Sequence, residues 1–548
     1  MKAWFKSGSP WVWLTAGAVS ISLVAVIGLI VLIGWRGLTY FWPATIYQFE
    51  IKTDNGISML IGEIHDSEQV AVSQLKAAGF DMTGVTKEFI TRYLIKTGNR
   101  EFVDLDFRWI LETDIVSQSQ PENLAIIERS KNGNFYGQIV TVLENGKPAN
   151  GDLLPTLDQK IANNKKLLVA MSEIQNSVIG SINYKLEKIR LNERADLLEN
   201  QLNDERKQKY QAQIKALKDE YQIHEAKLFE LRKIQAKDAI TLQDMRGELV
   251  NISMKYVLAV NFPNQMNLLE KTGFWLTKIA SFISDKPREA NTEGGVFPAI
   301  FGTIFMVLLM TIIVTPLGVI TAIYLHEYAA KNAFTKIIRT AVINLAGVPS
   351  IVYGVFGLGF FVYVLGGNID ELFYTEALPS PTFGTPGVLW SALTLAILTL
   401  PVVIVSTEEG LSRIPLTLRQ GSLALGATKF ETLWRIILPM ASPAIMTGLI
   451  LAVARAAGEV APLMLVGVVK MAPSLPVDGN FPFVHLDRKF MHLGFHVYDV
   501  GFQSPNVEAA RPLVYATSFL LVTVIVGLNI TAISIRNRLR EKFRSLEH

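Results

Sequence analysis

The sequence predicts a polytopic α-helical membrane protein of six spans with a large α/β domain outside the bilayer. Three observations lead there. Half of the 548 residues are hydrophobic, the composition of a membrane protein with a sizeable soluble part. Uncharged runs of about 20 residues, enough to cross the hydrocarbon core, occur six times, within 11–35, 296–325, 341–366, 387–407, 436–468 and 512–535. Between the first two lies 43–295, which instead alternates strand-like runs and charged helical stretches.

The first run is too long for a secretory apolar region, and no small-residue cleavage site clearly follows it. It reads as an uncleaved anchor at 11–35 behind a short cytoplasmic N-terminus, 1–10. Orientation follows from Lys and Arg in short loops. Lys2 and Lys6 precede the first span, Lys331, Lys336 and Arg339 follow the second, and Arg413, Arg419, Lys429 and Arg435 follow the fourth. The tail, 536–548, carries Arg536, Arg538, Arg540, Lys542 and Arg544, whereas 367–386 is acidic and has no basic residue. Arg36 is a small exception. This alternation predicts both termini inside, in the cytoplasm, and 43–295 outside.

In the outer domain, "REFVDLDFRWIL" reads as a strand, and "NLAIIERSKNGNFYGQIVTVL" as a hairpin turning at Asn132-Gly133. "TGVTKEFITRYLIKTG" (83–98) reads as a short helix. Residues 181–246 contain neither Gly nor Pro, and heptad spacing is clearest at Ile214, Leu217, Tyr221, His224, Leu228 and Leu231. One unbroken helix of that length would project roughly 100 Å at 1.5 Å per residue. A hairpin over about 160–245, turning near "NQLND", returns the chain toward the membrane, and "GELVNISMKYVLAVNF" (247–262) supplies strand material. The hairpin suits a solvated spacer or a docking arm, and the residues do not choose.

Several chemistries are excluded. A net charge of +3 gives nucleic-acid binding no support. No cysteine is present, so disulfides and thiolate metal sites are ruled out. There is no HExxH and no GxxxxGK[ST] phosphate loop, so this chain is not expected to hydrolyse ATP by P-loop chemistry. No nucleophile–base set appears; the chain is expected to be no enzyme and to carry no cofactor. His485, His492 and His496 include an i, i+4 pair, but without an acidic ligand motif they suit a folded outer loop better than a metal site.

The fifth run, with "GLILAVARAAGEVAPLML" at 448–465, is the only one with internal charge. A charge at the bilayer centre costs about 2.5–3.5 kcal/mol even on the lenient scale. Read as one helix, Ala444, Gly448, Ala452 and Ala456 form a small-residue ridge that admits a close neighbour. Arg455 and Glu459 share a face beside that ridge and turn toward the bundle interior.

The loop 408–439 contains "LRQGSLALGATKFETLWRIILPMASPAI". Nine residues separate Gly426 from Ile436, which is followed by Leu438 and Pro439. This resembles the EAA loop of ABC-importer permeases: Glu-Ala-Ala, three residues, Gly, nine residues, Ile-x-Leu-Pro. Gln420-Gly421-Ser422 stands where Glu-Ala-Ala would, so an ionic contact made by the family's Glu is missing. "GGVFPAIFGTIFMVLLMTIIVTPLGVITAIYLHEYA", "GVPSIVYGVFGLGFF" and "ARAAGEVAPLML" look like the phosphate-importer permease A subunit, in a long form with an outer insertion. The resemblance covers most of 294–535. It implies a type I ABC permease core of five spans (296–535) and import of inorganic phosphate. It also implies a heterodimer with a second phosphate permease, two copies of a cytoplasmic ATPase, a periplasmic phosphate-binding protein and surrounding membrane lipid.

On that reading Arg455 supplies the planar donor fork that suits phosphate oxygens, and Glu459 holds it when the path is empty. Ser350 and Tyr353 in the third span are further candidates for the path or gate, as is Thr315-Pro316 in the second. The competing use of Arg455 and Glu459 is a buried ion pair locking two helices, or a pairing with the sister permease. A permease for another oxyanion, such as sulfate or molybdate, shares the loop but less of "ARAAGE" and "GVPSIVYG". A membrane-anchored envelope sensor or scaffold would explain 43–295 but not the loop.

Overall fold

A computed structural model describes residues 9–53, 56–103, 106–149, 151–330, 332–504 and 507–543. Lys2, Lys6, Lys331 and Arg544 lie outside these. The chain divides into two compact units, one of residues 1–40, 283–287 and 296–548 and the other of 41–282 and 288–295.

The first unit begins with α1 (Ser9–Thr39). The second unit follows and is built on antiparallel sheets. Strands β1 (Ile46–Thr53), β2 (Gly56–Ala71), β3 (Phe89–Lys96), β4 (Phe107–Leu111) and β5 (Ile115–Ser119) form a sheet of order β4-β3-β2-β1-β5. The helix expected over 83–98 is therefore wrong. Phe89, Ile90, Thr91, Tyr93 and Ile95 are aromatic or β-branched and suit a pleated surface. The strand they form pairs on both sides, Ile95 opposite Ile64 of β2 and Arg108 of β4. Among the described residues of "REFVDLDFRWIL" only the end, β4, is strand.

A second sheet holds β6 (Leu124–Arg129) and β7 (Phe135–Glu144), a hairpin whose turn residues Asn132 and Gly133 take φ +65° and +67°. Asn tolerates that region and Gly is at home in it. After β7, α2 (Leu153–Ser172) runs through a π-helical stretch into α3 (Gly180–Leu198), and α4 (Asp204–Gln235) returns. The return is antiparallel: the Gln235 side chain bonds Asn164, Leu228 packs with Met171 and Ile174, and Tyr210 donates to Asp196. Asn203 caps α4 by accepting from the Arg206 amide. The helical stretch is 153–235 rather than 160–245. Residues 239–243 form β8, which pairs β7 and β9 (Leu249–Ser253), while β10 (Val257–Asn261) pairs β6. Leu157 and Ile161 close the core over this sheet. The amphipathic helix α5 (Leu268–Ser284) ends the domain.

The first unit resumes with α6 (Phe297–Ile323), α7 (Ala333–Leu345), α8 (Ser350–Phe356, continued as a π-helix to Gly366) and α9 (Val388–Ser412). Then come α10 (Leu416–Ala424), α11 (Leu438–Gly458), α12 (Ala461–Val466), α13 (Leu493–Phe502) and α14 (Val507–Phe543). Six helices are long and apolar enough to cross a membrane: Trp11–Thr39, Phe297–Tyr328, Ser350–Phe373, Val388–Ser412, Lys429–Gly458 and Ala510–Arg538. The third starts at Ser350, not 341, because Pro349 disfavours helix in the residue before it and α7 ends separately at Leu345.

Helix α9 is central. Lipid tails give helices no hydrophobic reason to associate, so close packing must hold them. Added Cβ atoms at Gly318 and Gly448 would lie 2.6 Å and 2.7 Å from Val403 and Ser406 of α9. A Cβ added at Gly410 of α9 would likewise fall 2.5 Å from that of Ala444. The buried Thr394 and Thr399 bond back to carbonyls four residues earlier.

Candidate functional site

The small-residue ridge of α11 packs on α9. Ala452 and Ala456 are fully buried, and the Ser406 hydroxyl donates to the Ala444 carbonyl at 2.8 Å. The expected continuous helix to 468, however, does not form. Helix α11 stops at Gly458, and Glu459 is its C-cap at φ −78°, ψ 134°. Pro462 explains the stop: its ring would collide with the carbonyl of residue 458 in a continuing helix, and it brings no amide proton. Glu459 thus leaves the helical face it was expected to share. It still meets Arg455, with Nε to Oε1 at 3.6 Å, and the two side chains are 34% and 20% exposed. Among the described residues the Arg455 guanidinium makes no hydrogen bond, so its donor fork stays available.

Helix α8 adjoins this break. A Cβ at Gly354 would fall 2.7 Å from Cα of Pro462, so α8 and α12 are in backbone contact. Ser350 opens α8, and the buried Tyr353 donates its hydroxyl to the Leu345 carbonyl at 2.7 Å. Sequence positions 350, 353, 455 and 459 therefore gather in one neighbourhood, with the Tyr353 hydroxyl committed to the backbone. Thr315 bonds the Thr311 carbonyl beside Pro316 and so serves the helix backbone.

The loop 408–439 folds as two short helices about a glycine. Helix α10 ends in a Schellman motif: the Gly426 amide donates to Leu423 and the Ala427 amide to Ser422, with Gly426 at φ +87°. Thr428 and Glu431 form a capping box that starts the next turn. The two sides are pinned by Ser422 and Thr432, whose buried hydroxyls lie 2.9 Å apart. Gln420 and Gly421 are exposed, Ile436 is half-buried, and Leu438 and Pro439 open α11.

Two ion pairs tie this region together. Arg419 of α10 meets Glu327 at 2.7 Å and donates to the Leu411 carbonyl, and Arg339 of α7 meets Glu408 at 3.3 Å and donates to the Leu325 carbonyl. Sequence reasoning counted Arg339 and Arg419 only as orientation charges. The available signal was Glu327 in "YLHEYA", at a π-helical turn, Tyr324–Tyr328.

Residues 314–544 match the model of the family described as "Binding-protein-dependent transport system inner membrane component". "Probable ABC transporter permease protein YqgI" of Bacillus subtilis (strain 168) is 31% identical over 46% of this chain and 81% of its own length. The chain belongs to this family of transport permeases. "Phosphate transport system permease protein PstA" of Mycobacterium leprae (strain TN) is 34% identical over 44% of this chain and 71% of its own. A chain of the MetNI methionine ABC transporter aligns with 45% of this permease at a TM-score of 0.31 and 18% identity, a likeness that carries no argument. The permease is thus an ABC-importer membrane subunit, and the unit of 41–282 and 288–295 lies before the matched residues.

Between its fifth and sixth spans the permease buries two histidines. His492 caps α13, its Nδ1 accepting from the Gly494 amide, and His496 sits 3.4 Å from the Thr517 hydroxyl. Burial pushes His492 down to about 3. Burial likewise pushes His496 down to about 4, against the pull of Asp499. Both fold neutral, so the unfolded chain takes up protons first as pH falls. Their contribution to stability is complete above pH about 6.5 and is lost progressively down to pH 3–4. At pH 5 each histidine should cost about 2 kcal/mol. Thermal unfolding of the purified permease should show a lower Tm at pH 5 than at pH 7.5. The His492→Gln/His496→Gln double variant should flatten that difference, and an unchanged slope would contradict the assignment.

Proposed function

We propose that this permease is the A-type membrane subunit of an ATP-driven importer that moves inorganic phosphate across the bacterial inner membrane. The carrying observation is Arg455, an open donor fork within a transport permease, loosely held by Glu459 at a helix break. A guanidinium presents paired donors to phosphate oxygens, and a 3.6 Å ionic contact is weak enough for an anion to displace. The resemblance to PstA-named relatives supports phosphate over sulfate or molybdate. Basic short loops support cytoplasmic termini and a periplasmic 43–295.

In this reading the subunit pairs with a second phosphate permease, receives phosphate from a periplasmic binding protein and rests on two copies of an ATPase. The loop 408–439 passes force from the ATPase to α9 and α11. Leu425, Phe430 and Trp434 are 91%, 68% and 64% exposed on it and offer an apolar contact for that partner. Glu327–Arg419 takes the role of a local brace where the family's opening acid is missing. The test is anion uptake by proteoliposomes holding the whole complex. Phosphate should be taken up in an ATP- and binding-protein-dependent way and sulfate or molybdate should not; the reverse preference would reject the reading.

The helical arm is proposed as a spacer or docking arm outside the transport path. Replacing all of 160–245 would damage the sheet, since β8 and Ile161 belong to its core. Replacing 184–217 with a short Gly/Ser linker leaves that core and the Met171–Leu228 cluster intact. Uptake should stay within about twofold of the parent, a ΔΔG near 0.4 kcal/mol. Complete loss with the complex still assembled would place the arm in the transport cycle.

A further inference from the structure

Helix α5 has two unlike faces. On one, Lys278 pairs with Glu128 of β6 and lies 5.1 Å from the Phe274 ring centroid, while the Phe282 ring sits 5.0 Å from that of Phe41. Phe282 is its one buried side chain among the described residues. On the other face Leu269, Gly273, Leu276, Ala280 and Ile283 recur at helical spacing. Leu269, Leu276 and Ile283 are 84%, 57% and 42% exposed. An apolar stripe of this kind in water needs a cover.

The chain itself indicates which. Phe41, against which the end of α5 packs, stands just beyond the apolar span Trp11–Thr39. The next span opens at Phe297, a short segment after Ser284. In the chain, the C-terminal end of α5 thus packs on the residue that follows one apolar span and is itself followed within a short segment by the next. Tyr40, Trp42 and Trp275 add the amphipathic rings that settle at headgroup level.

We propose that α5 is an interfacial anchor: it lies along the outer bilayer surface, with Leu269, Leu276 and Ile283 in the boundary between headgroups and acyl chains. The proposal rests on the flanking helices spanning a bilayer and not on the identity of the substrate.

The chain has no cysteine, so single labels can be placed freely. Leu269→Cys, Leu276→Cys and Ile283→Cys would each carry an environment-sensitive fluorophore in the full complex reconstituted in phosphatidylcholine vesicles. Leu29→Cys, on the lipid-facing side of α1, serves as the bilayer control, and Ile223→Cys on the helical arm as the water control. The three α5 labels should be quenched by a nitroxide near the headgroup end of the acyl chain, as Leu29 is. Iodide should quench them at least threefold less than Ile223. Adding Leu269→Asp and Leu276→Asp to the Ile283 label should cut its lipid quenching severalfold. Iodide quenching equal to that at Ile223 would overturn the proposal. So would shielding from both quenchers, which would mean a protein cover. A Leu29 label that lipid does not quench would instead remove the span assignment, and the anchor with it.

Discussion

Arg455→Lys is expected to lower phosphate uptake about 10- to 100-fold while the complex still assembles. The substitution keeps the charge but removes the planar fork, and charge-assisted hydrogen bonds are each worth about 1.5–3 kcal/mol. Glu459→Gln should also impair uptake, because Arg455 then loses the partner that positions it between transport events. The rival use of these residues, a buried ion pair locking helices, predicts loss of assembly in either variant, since an orphaned buried charge costs about 3–5 kcal/mol. The geometry argues against that outcome: the contact is 3.6 Å and neither side chain is fully buried, at 34% and 20% exposed. Such a pair contributes little stability. Exchanging the two residues separates the readings further. Arg455 stands in the last turn of α11, where the helix dipole favours a cation. A swapped chain carries a carboxylate there and no guanidinium fork in its place. Uptake and complex yield should be measured together for the two single variants and the exchange. Full transport in the exchanged chain would reject a role for Arg455 in the phosphate path.

What could be read from the sequence follows the range of each signal. Six apolar helices were legible because a run without charge is a local property, and the capped glycine turn at 426 was legible because its spacing is local too. Interruptions were underread. Pro349 and Pro462 each mark a helix boundary through their missing amide and ring clash, yet 341–366 and 436–468 read as continuous on hydropathy alone. The segment 83–98 failed for a different reason. Charged residues at Lys87, Glu88 and Arg92 suggested a helix surface, whereas pairing of β3 with two neighbours decided its conformation. Strand β8 was hidden inside a Gly- and Pro-free stretch, because its partner β7 lies on the far side of the whole helical arm. At the site, the gathering of Ser350, Tyr353, Arg455 and Glu459 depends on α8 touching α12, and the Arg419–Glu327 brace joins residues distant in sequence. Charge marked Arg455 and Glu459, and hydroxyls within a span marked Ser350 and Tyr353, but their partners come from packing.

Gly426→Val is expected to uncouple ATP hydrolysis from phosphate uptake without preventing membrane insertion. Gly426 holds φ +87° at the C′ position of α10, where its amide and that of Ala427 close the Schellman motif. An L-residue in the left-handed region costs about 1–2 kcal/mol, and a β-branched one is still less tolerated there. No atom lies within 4 Å of a Cβ at this position, so valine would act through backbone conformation and not through a clash. The turn would open, and the Ser422–Thr432 contact that pins the two short helices would loosen. The spans are untouched, so the loss belongs to transmission. Asparagine tolerates positive φ and should recover most of the uptake in Gly426→Asn, which a requirement for smallness at this position would forbid. The measurement is phosphate uptake beside binding-protein-stimulated ATPase rate in proteoliposomes of the complex. Valine should leave hydrolysis largely in place and cut uptake at least tenfold, with asparagine near the parent. Normal uptake and normal stimulation with valine would show that the loop does not pass force through this turn.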